Sequence, residues 1–125
     1  MTKILVVEDD TDVRSSLIIS FRMAGFETDE ATDGDEAIRM IAEGRYDLVV
    51  TDLWMPKVDG IALLKHLAAH QADQKVIAIS GGAPGRAPAN FSVALAETYG
   101  ADAVFHKPFD NDDLVDAVKD LLGLP

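Results

Sequence analysis

The sequence predicts a doubly wound α/β domain, a parallel sheet with helices on both faces. Short β-branched apolar runs recur at residues 4–7, 48–51, 76–79 and 103–105, each separated from the next by a longer amphipathic stretch. These runs are almost continuously apolar, as strands covered on both faces must be, and the alternation with helical stretches implies right-handed crossovers. A chain of 125 residues is long enough to bury one such core, so residues 1–125 are expected to form a single domain.

Taken in order, the first run is followed by a stretch that begins near Thr11, places Val13, Leu17, Phe21 and Ala24 on one face, and stops at Gly25, a residue suited to a left-handed helix end. Residues 26–31 make a weaker strand. The acids of Asp33-Gly34-Asp35-Glu36 suit a helix N-terminus, and Ala37, Ile38 and Ile41 continue as a stripe ending at Gly44. After the run at 48–51, Asp59-Gly60 opens a helix whose Leu63, Leu64, Leu67 and Ala68 face inward. The Gly- and Pro-rich segment from Gly81 to Pro88 is a loop, and a helix is expected from near Asn90 to Tyr99-Gly100. Asp110 caps a last helix carrying Leu114, Val118 and Leu121. The pattern therefore holds five strands and five helices, without an internal repeat or linker.

Composition narrows the chemistry. Hydrophobic residues make up 48% of the chain and charged residues 26%, the balance of a globular protein. The formal net charge is −11, whose field repels phosphate backbones and anionic membranes, so direct nucleic-acid binding is not expected. There is no cysteine, which removes disulfides and thiolate metal sites. Residues 4–7 are too few for a signal sequence or a membrane span, and a cytoplasmic location without membrane insertion is the expectation.

Ligands of such sheets bind outside the carboxyl ends of the strands. There the sequence sets Glu8, Asp9 and Asp10 after the first run, Asp52 after the third, Ser80 after the fourth and Lys107-Pro108 after the fifth. Each residue alone has a plain reading: an acid after a strand caps the next helix, a serine ends a strand, a lysine is solvated. Together, several carboxylates at one end of a sheet raise one another's pKa unless a cation joins them. Without Cys or a suitable His pair, a hard divalent ion fits best, Mg²⁺ first and Mn²⁺ as its substitute. An ionised Asp52 could then attack phosphorus in line, while Lys107 neutralises charge on the equatorial oxygens and Ser80 donates a hydrogen bond. His66 and His70 lie four apart on the third helix, but no third ligand is in view and exposed surface histidines are the plainer reading.

Val6-Val7-Glu8-Asp9-Asp10, Thr51-Asp52-Leu53-Trp54-Met55-Pro56-Lys57-Val58-Asp59-Gly60, Ala78-Ile79-Ser80-Gly81 and His106-Lys107-Pro108-Phe109 together resemble the ordered motifs of bacterial response-regulator receivers. The resemblance spans the chain and implies a flavodoxin-like strand order 2-1-3-4-5. It implies Asp52 as phosphoacceptor, and Glu8, Asp9 and Asp52 around the metal with the backbone carbonyl of Trp54. It further implies Ser80 and the Gly81 backbone N–H as phosphoryl contacts, Lys107 as the partnering lysine, and a cis bond before Pro108. Asp10 is read as the cap of the first helix and stays outside the metal set. The implied function is Mg²⁺-dependent acceptance of a phosphoryl group from a sensor histidine kinase or histidine phosphotransfer protein, with output through a downstream protein target; the domain catalyses only its own phosphorylation and dephosphorylation.

Two features depart from the pattern. Receivers with the best-known switch carry Tyr or Phe three residues before the lysine, where this chain has Val104; Phe105 is one residue off and so belongs to the opposite face. The loop from Gly81 to Pro88 is also longer than the family norm. As the chain reaches Pro125 soon after the last helix, it is expected either to act alone through protein contacts or to be a receiver cut from a larger regulator. An aspartyl-phosphate-forming phosphohydrolase is the rival of another class, but it would want a second Asp where Trp54 stands.

Overall fold

The structure is a computed structural model and describes residues 1–53, 60–80, 94 and 98–125. Its five strands, β1 (Lys3–Val7), β2 (Glu27–Ala31), β3 (Leu48–Asp52), β4 (Val76–Ser80) and β5 (Ala103–His106), form one sheet in the order β2-β1-β3-β4-β5. Every pairing is parallel. Four helices lie among the described residues: α1 (Thr11–Met23), α2 (Gly34–Glu43), α3 (Gly60–His70) and α4 (Asn111–Leu122). The helix expected from near Asn90 falls largely outside the described residues, although Ala94 and Thr98 are helical and the Thr98 hydroxyl donates to the Ala94 carbonyl at 2.8 Å.

Strand alternation divides the core in two. Leu5, Val7, Val49, Val76 and Ala78 meet Ala37 and Ile41 of α2 and Leu63, Leu64 and Leu67 of α3 on one face. Ile4, Val6, Leu48, Val50, Ile77 and Ile79 meet Leu17, Ile18 and Phe21 of α1 and Leu114, Val115 and Val118 of α4 on the other. β5 obeys the same rule: Val104 packs into the first cluster, while Phe105 packs into the second, its ring edge-on to Phe109 at 5.8 Å. The aromatic side chain is thus on the opposite face from Val104, as its one-residue offset requires.

Local chemistry sets the helix ends. Asp10 accepts from the backbone N–H groups of Asp12 and Val13, Asp33 from Glu36, and Asp110 from Asp112, so three acids cap three N-termini. Gly25, at φ +92°, provides the left-handed turn after α1. Phe26 belongs to that turn, its N–H bonded to the Phe21 carbonyl at 3.0 Å, and β2 starts one residue later than the apolar pattern suggests.

Three strands run one residue past their apolar runs, ending in Asp52, Ser80 and His106. The ladder sets Asp52 opposite Ile79 and Ser80 opposite His106, so two of the polar residues of interest are strand residues with fixed backbones.

Candidate functional site

At the carboxyl end of β1, the Glu8 N–H donates to the Ala31 carbonyl at 3.0 Å, continuing the ladder for one residue and turning the Glu8 side chain into the protein. That side chain is 2% exposed, an unusual place for a carboxylate unless it is paired. Asp52 ends β3 with its side chain 8% exposed. Asp9, one residue beyond Glu8, is exposed. Each of the three offers one oxygen, and these oxygens lie within 4.8 Å of one another.

Lys107 enters from the far side of the sheet. Its N–H donates to the Ser80 carbonyl at 2.9 Å, which carries the β4–β5 ladder one residue past the strand. The ammonium donates to Glu8 Oε1 and to Asp52 Oδ2, each at 3.1 Å. A cis peptide joins Lys107 to Pro108. These bonds are charge-assisted and only partly open to water, which strengthens them relative to surface pairs.

One ammonium among three carboxylates is not enough. Burial, together with the hydrogen bond and negative charge of Asp52, pushes the Glu8 pKa up to about 8 even with Lys107 beside it. The Lys107 ammonium is itself pulled down by burial, but the charges of Asp52 and Glu8 outweigh this and hold it above the usual lysine value. A cluster of hard oxygen donors still short of positive charge suits a divalent cation with a preference for carboxylate and water. Glu8, Asp9 and Asp52 therefore fit Mg²⁺.

Ser80 is fully buried at the end of β4, and its hydroxyl finds no hydrogen-bond partner among the described residues. Trp54 and Gly81, assigned a metal-ligating carbonyl and a phosphoryl-binding N–H, lie outside the described residues, as do Asp59 and the loop from Gly81 to Pro88. Asp10 stays with its helix cap and takes no place in the carboxylate group. The His66 and His70 rings meet at 4.5 Å, tilted by 41°, but no third ligand joins them among the described residues.

Two residues that shape the site were not singled out from the sequence. Gly60, the first residue of α3, donates its N–H to the Leu53 carbonyl at 3.1 Å, and a Cβ there would run into the Asp52 carbonyl and the Leu53 backbone. The Asp59-Gly60 pair was read as a helix start and as the end of the Asp52 motif, without a steric role at the site. Arg14 donates from Nη1 to the Glu8 carbonyl and from Nε to Glu30 Oε1, both at 2.9 Å.

The comparisons with known proteins agree with this geometry. The family model "Response regulator receiver domain" matches residues 4–119. The transcriptional regulatory protein PrrA of Mycobacterium tuberculosis is 41% identical over 120 residues, covering 96% of this chain and 49% of that protein. The chain thus spans about half the length of the curated relatives first matched. Among solved structures, the receiver domain of a Francisella response regulator superposes with a TM-score of 0.88 at 32% identity, covering 98% of each chain. The response regulator TrrA of Thermotoga maritima, determined in complex with Mg²⁺ and BeF, gives a TM-score of 0.83 at 32% identity, covering 98% of this chain and all of that one. This chain belongs to the response regulator receiver domain family, the phosphorylatable receivers of two-component systems.

Proposed function

We propose that residues 1–125 act as one receiver domain that accepts a phosphoryl group on Asp52 and signals through protein contacts. The observation that carries this reading is the Lys107 ammonium bridging Asp52 and Glu8 beside Asp9, a constellation built from the ends of three strands.

Glu8, Asp9 and Asp52 would hold Mg²⁺, which when bound supplies charge neutralisation for the phosphoryl oxygens. An Asp52 oxygen attacks the phosphorus of a phosphohistidine. The phosphorus–nitrogen bond breaks and its electron pair leaves with the imidazole, which takes up a proton. Lys107 holds the acceptor carboxylate in place before attack and balances charge on the transferred group, and Ser80 offers its unpartnered hydroxyl to a phosphoryl oxygen. The backbone N–H of Gly81 and the carbonyl of Trp54 complete the set by resemblance. The domain thus promotes its own phosphorylation and hydrolysis and turns over no separate substrate.

A groove of about 520 Å³, lined by Val13, Leu17, Pro108 and Phe109 among others, adjoins Lys107. Its apolar walls support a protein donor, a sensor histidine kinase or histidine phosphotransfer protein. The net charge of −11 speaks for a downstream protein rather than nucleic acid as the domain's own contact. The cytoplasm is the compartment proposed for it; no helix among the described residues is long and apolar enough to cross a membrane.

Incubation with Mg²⁺ and acetyl phosphate tests the reading. A stoichiometric, alkali-labile adduct that disappears in Asp52→Asn is the expected result. Rapid multiple turnover of the donor without accumulation of the adduct would mark a phosphohydrolase, and no adduct and no turnover would refute phosphoacceptance.

A further inference from the structure

The two acids of the first loop share a peptide bond, and its orientation determines where both side chains point. The N–H before it is held by the Ala31 carbonyl, and the Asp9 N–H turns back onto Glu8 Oε2 at 3.1 Å. The Glu8 carbonyl lies beyond the described β1–β3 register, which ends at Val7 and Thr51. Its partner is a side chain: Nη1 of Arg14, at 2.9 Å. The Arg14 side chain is only 11% exposed, and its Nε is fixed from the other direction by Glu30 at the end of β2. The planar fork therefore has both its distance and its direction set.

We infer that Arg14 is the positioning residue of the acid pair: by holding the Glu8 carbonyl it orients the Glu8–Asp9 peptide, and so sets the affinity of the Glu8, Asp9 and Asp52 group for Mg²⁺. The inference rests on the metal reading of that group. Arg14 reaches the cation through the peptide it clamps, in the manner of the outer partners that orient metal ligands.

The same helix supplies a matched control. Arg22 also ties α1 to β2, donating from Nε to the Thr28 hydroxyl at 2.7 Å, away from the acid loop. Loss of either arginine removes a link between the same two elements, but only Arg14 touches the Glu8–Asp9 peptide.

The test is Mg²⁺ binding to the full chain by calorimetric titration, with urea unfolding of each variant measured alongside. Arg14→Ala is expected to weaken Mg²⁺ binding about tenfold or more. Arg14→Lys, which keeps the charge and loses the fork, should recover part of the loss, and Arg22→Ala should bind as the native chain does. Native affinity in Arg14→Ala, or an equal loss in Arg22→Ala, overturns the inference. Should Arg14→Ala not fold, Arg14→Lys decides alone: a several-fold loss supports the role and none refutes it. Asp9→Asn separates this inference from the reading beneath it. If Asp9→Asn binds Mg²⁺ normally, the metal assignment itself fails; if it loses binding while the Arg14 variants keep it, only the role of Arg14 fails.

Discussion

The Lys107 ammonium lies 3.1 Å from Asp52 Oδ2, although 55 residues separate the two in sequence. The parallel sheet makes this meeting possible. β4 stands between their strands, pairing through Ile79 with Asp52 and through Ser80 with His106, the residue before Lys107. A lysine that is 32% exposed spans this gap to reach a carboxylate that is 8% exposed.

Replacing that lysine separates chemistry from signalling. Lys107→Ala should remain folded and bind Mg²⁺, and Asp52 should still take a phosphoryl group, though more slowly, but partner affinity should no longer respond to it. Partner binding measured with and without beryllofluoride checks this, and unaltered coupling would contradict the role of Lys107.

Glu8 makes the metal-free fold sensitive to pH. Its folded pKa, raised to about 8, lies above the ordinary 4.5, so the folded state favours the protonated acid. Its stabilising contribution is full below pH 4.5 and is lost as pH rises through 8. Glu8→Gln should therefore be more stable than the native chain above pH 8 without metal, by on the order of 1 kcal/mol, and the gap should close near pH 5. Mg²⁺ should stabilise the native chain more than the variant. Urea unfolding across this range, with and without Mg²⁺, measures both effects; a gap that widens toward acid would refute the assignment.

Ser80 pits stability against function. A fully buried hydroxyl without a partner among the described residues costs free energy, so Ser80→Ala should leave stability unchanged or raise it by about 1 kcal/mol. Phosphorylation by acetyl phosphate should slow. A variant that is clearly less stable would show that the hydroxyl is already bonded in the resting protein.

Gly60 tolerates no side chain. A methyl group there meets the Asp52 carbonyl, so Gly60→Ala should lift the start of α3 from the end of β3 at a cost of about 1–3 kcal/mol. Because the clash is with the backbone of Asp52 itself, Mg²⁺ affinity should fall too. Thermal unfolding and Mg²⁺ titration of the same sample check the two together.

Most of the architecture was legible because it is encoded locally. β-branched runs marked the buried strands, and Asp10, Asp33 and Asp110 announced helix starts through a bond to a backbone group two or three residues away. β2 was weaker because it is an edge strand of four polar residues and one alanine, and its start was blurred by Phe26. Strand order came from the resemblance, since the period of an apolar run does not say which run lies beside it. Among the site residues, Glu8, Asp9, Asp52, Ser80 and Lys107 were visible because each ends a strand or follows one within two residues. Arg14 was not: an arginine on an amphipathic helix looks like a solvated surface residue, and its two bonds, to Glu8 and to Glu30 sixteen residues on, exist only in three dimensions.

The three carboxylates around a single ammonium also determine what a visiting surface would sense. Fully ionised, they leave the pocket two negative charges in excess; a dication would cancel that excess, and a phosphoryl group on Asp52, which replaces one carboxylate charge by about two, would bring half of it back. Loading the pocket thus alternates its mouth between anionic and neutral, so an incoming protein with basic residues at this rim would read polarity before it reads shape.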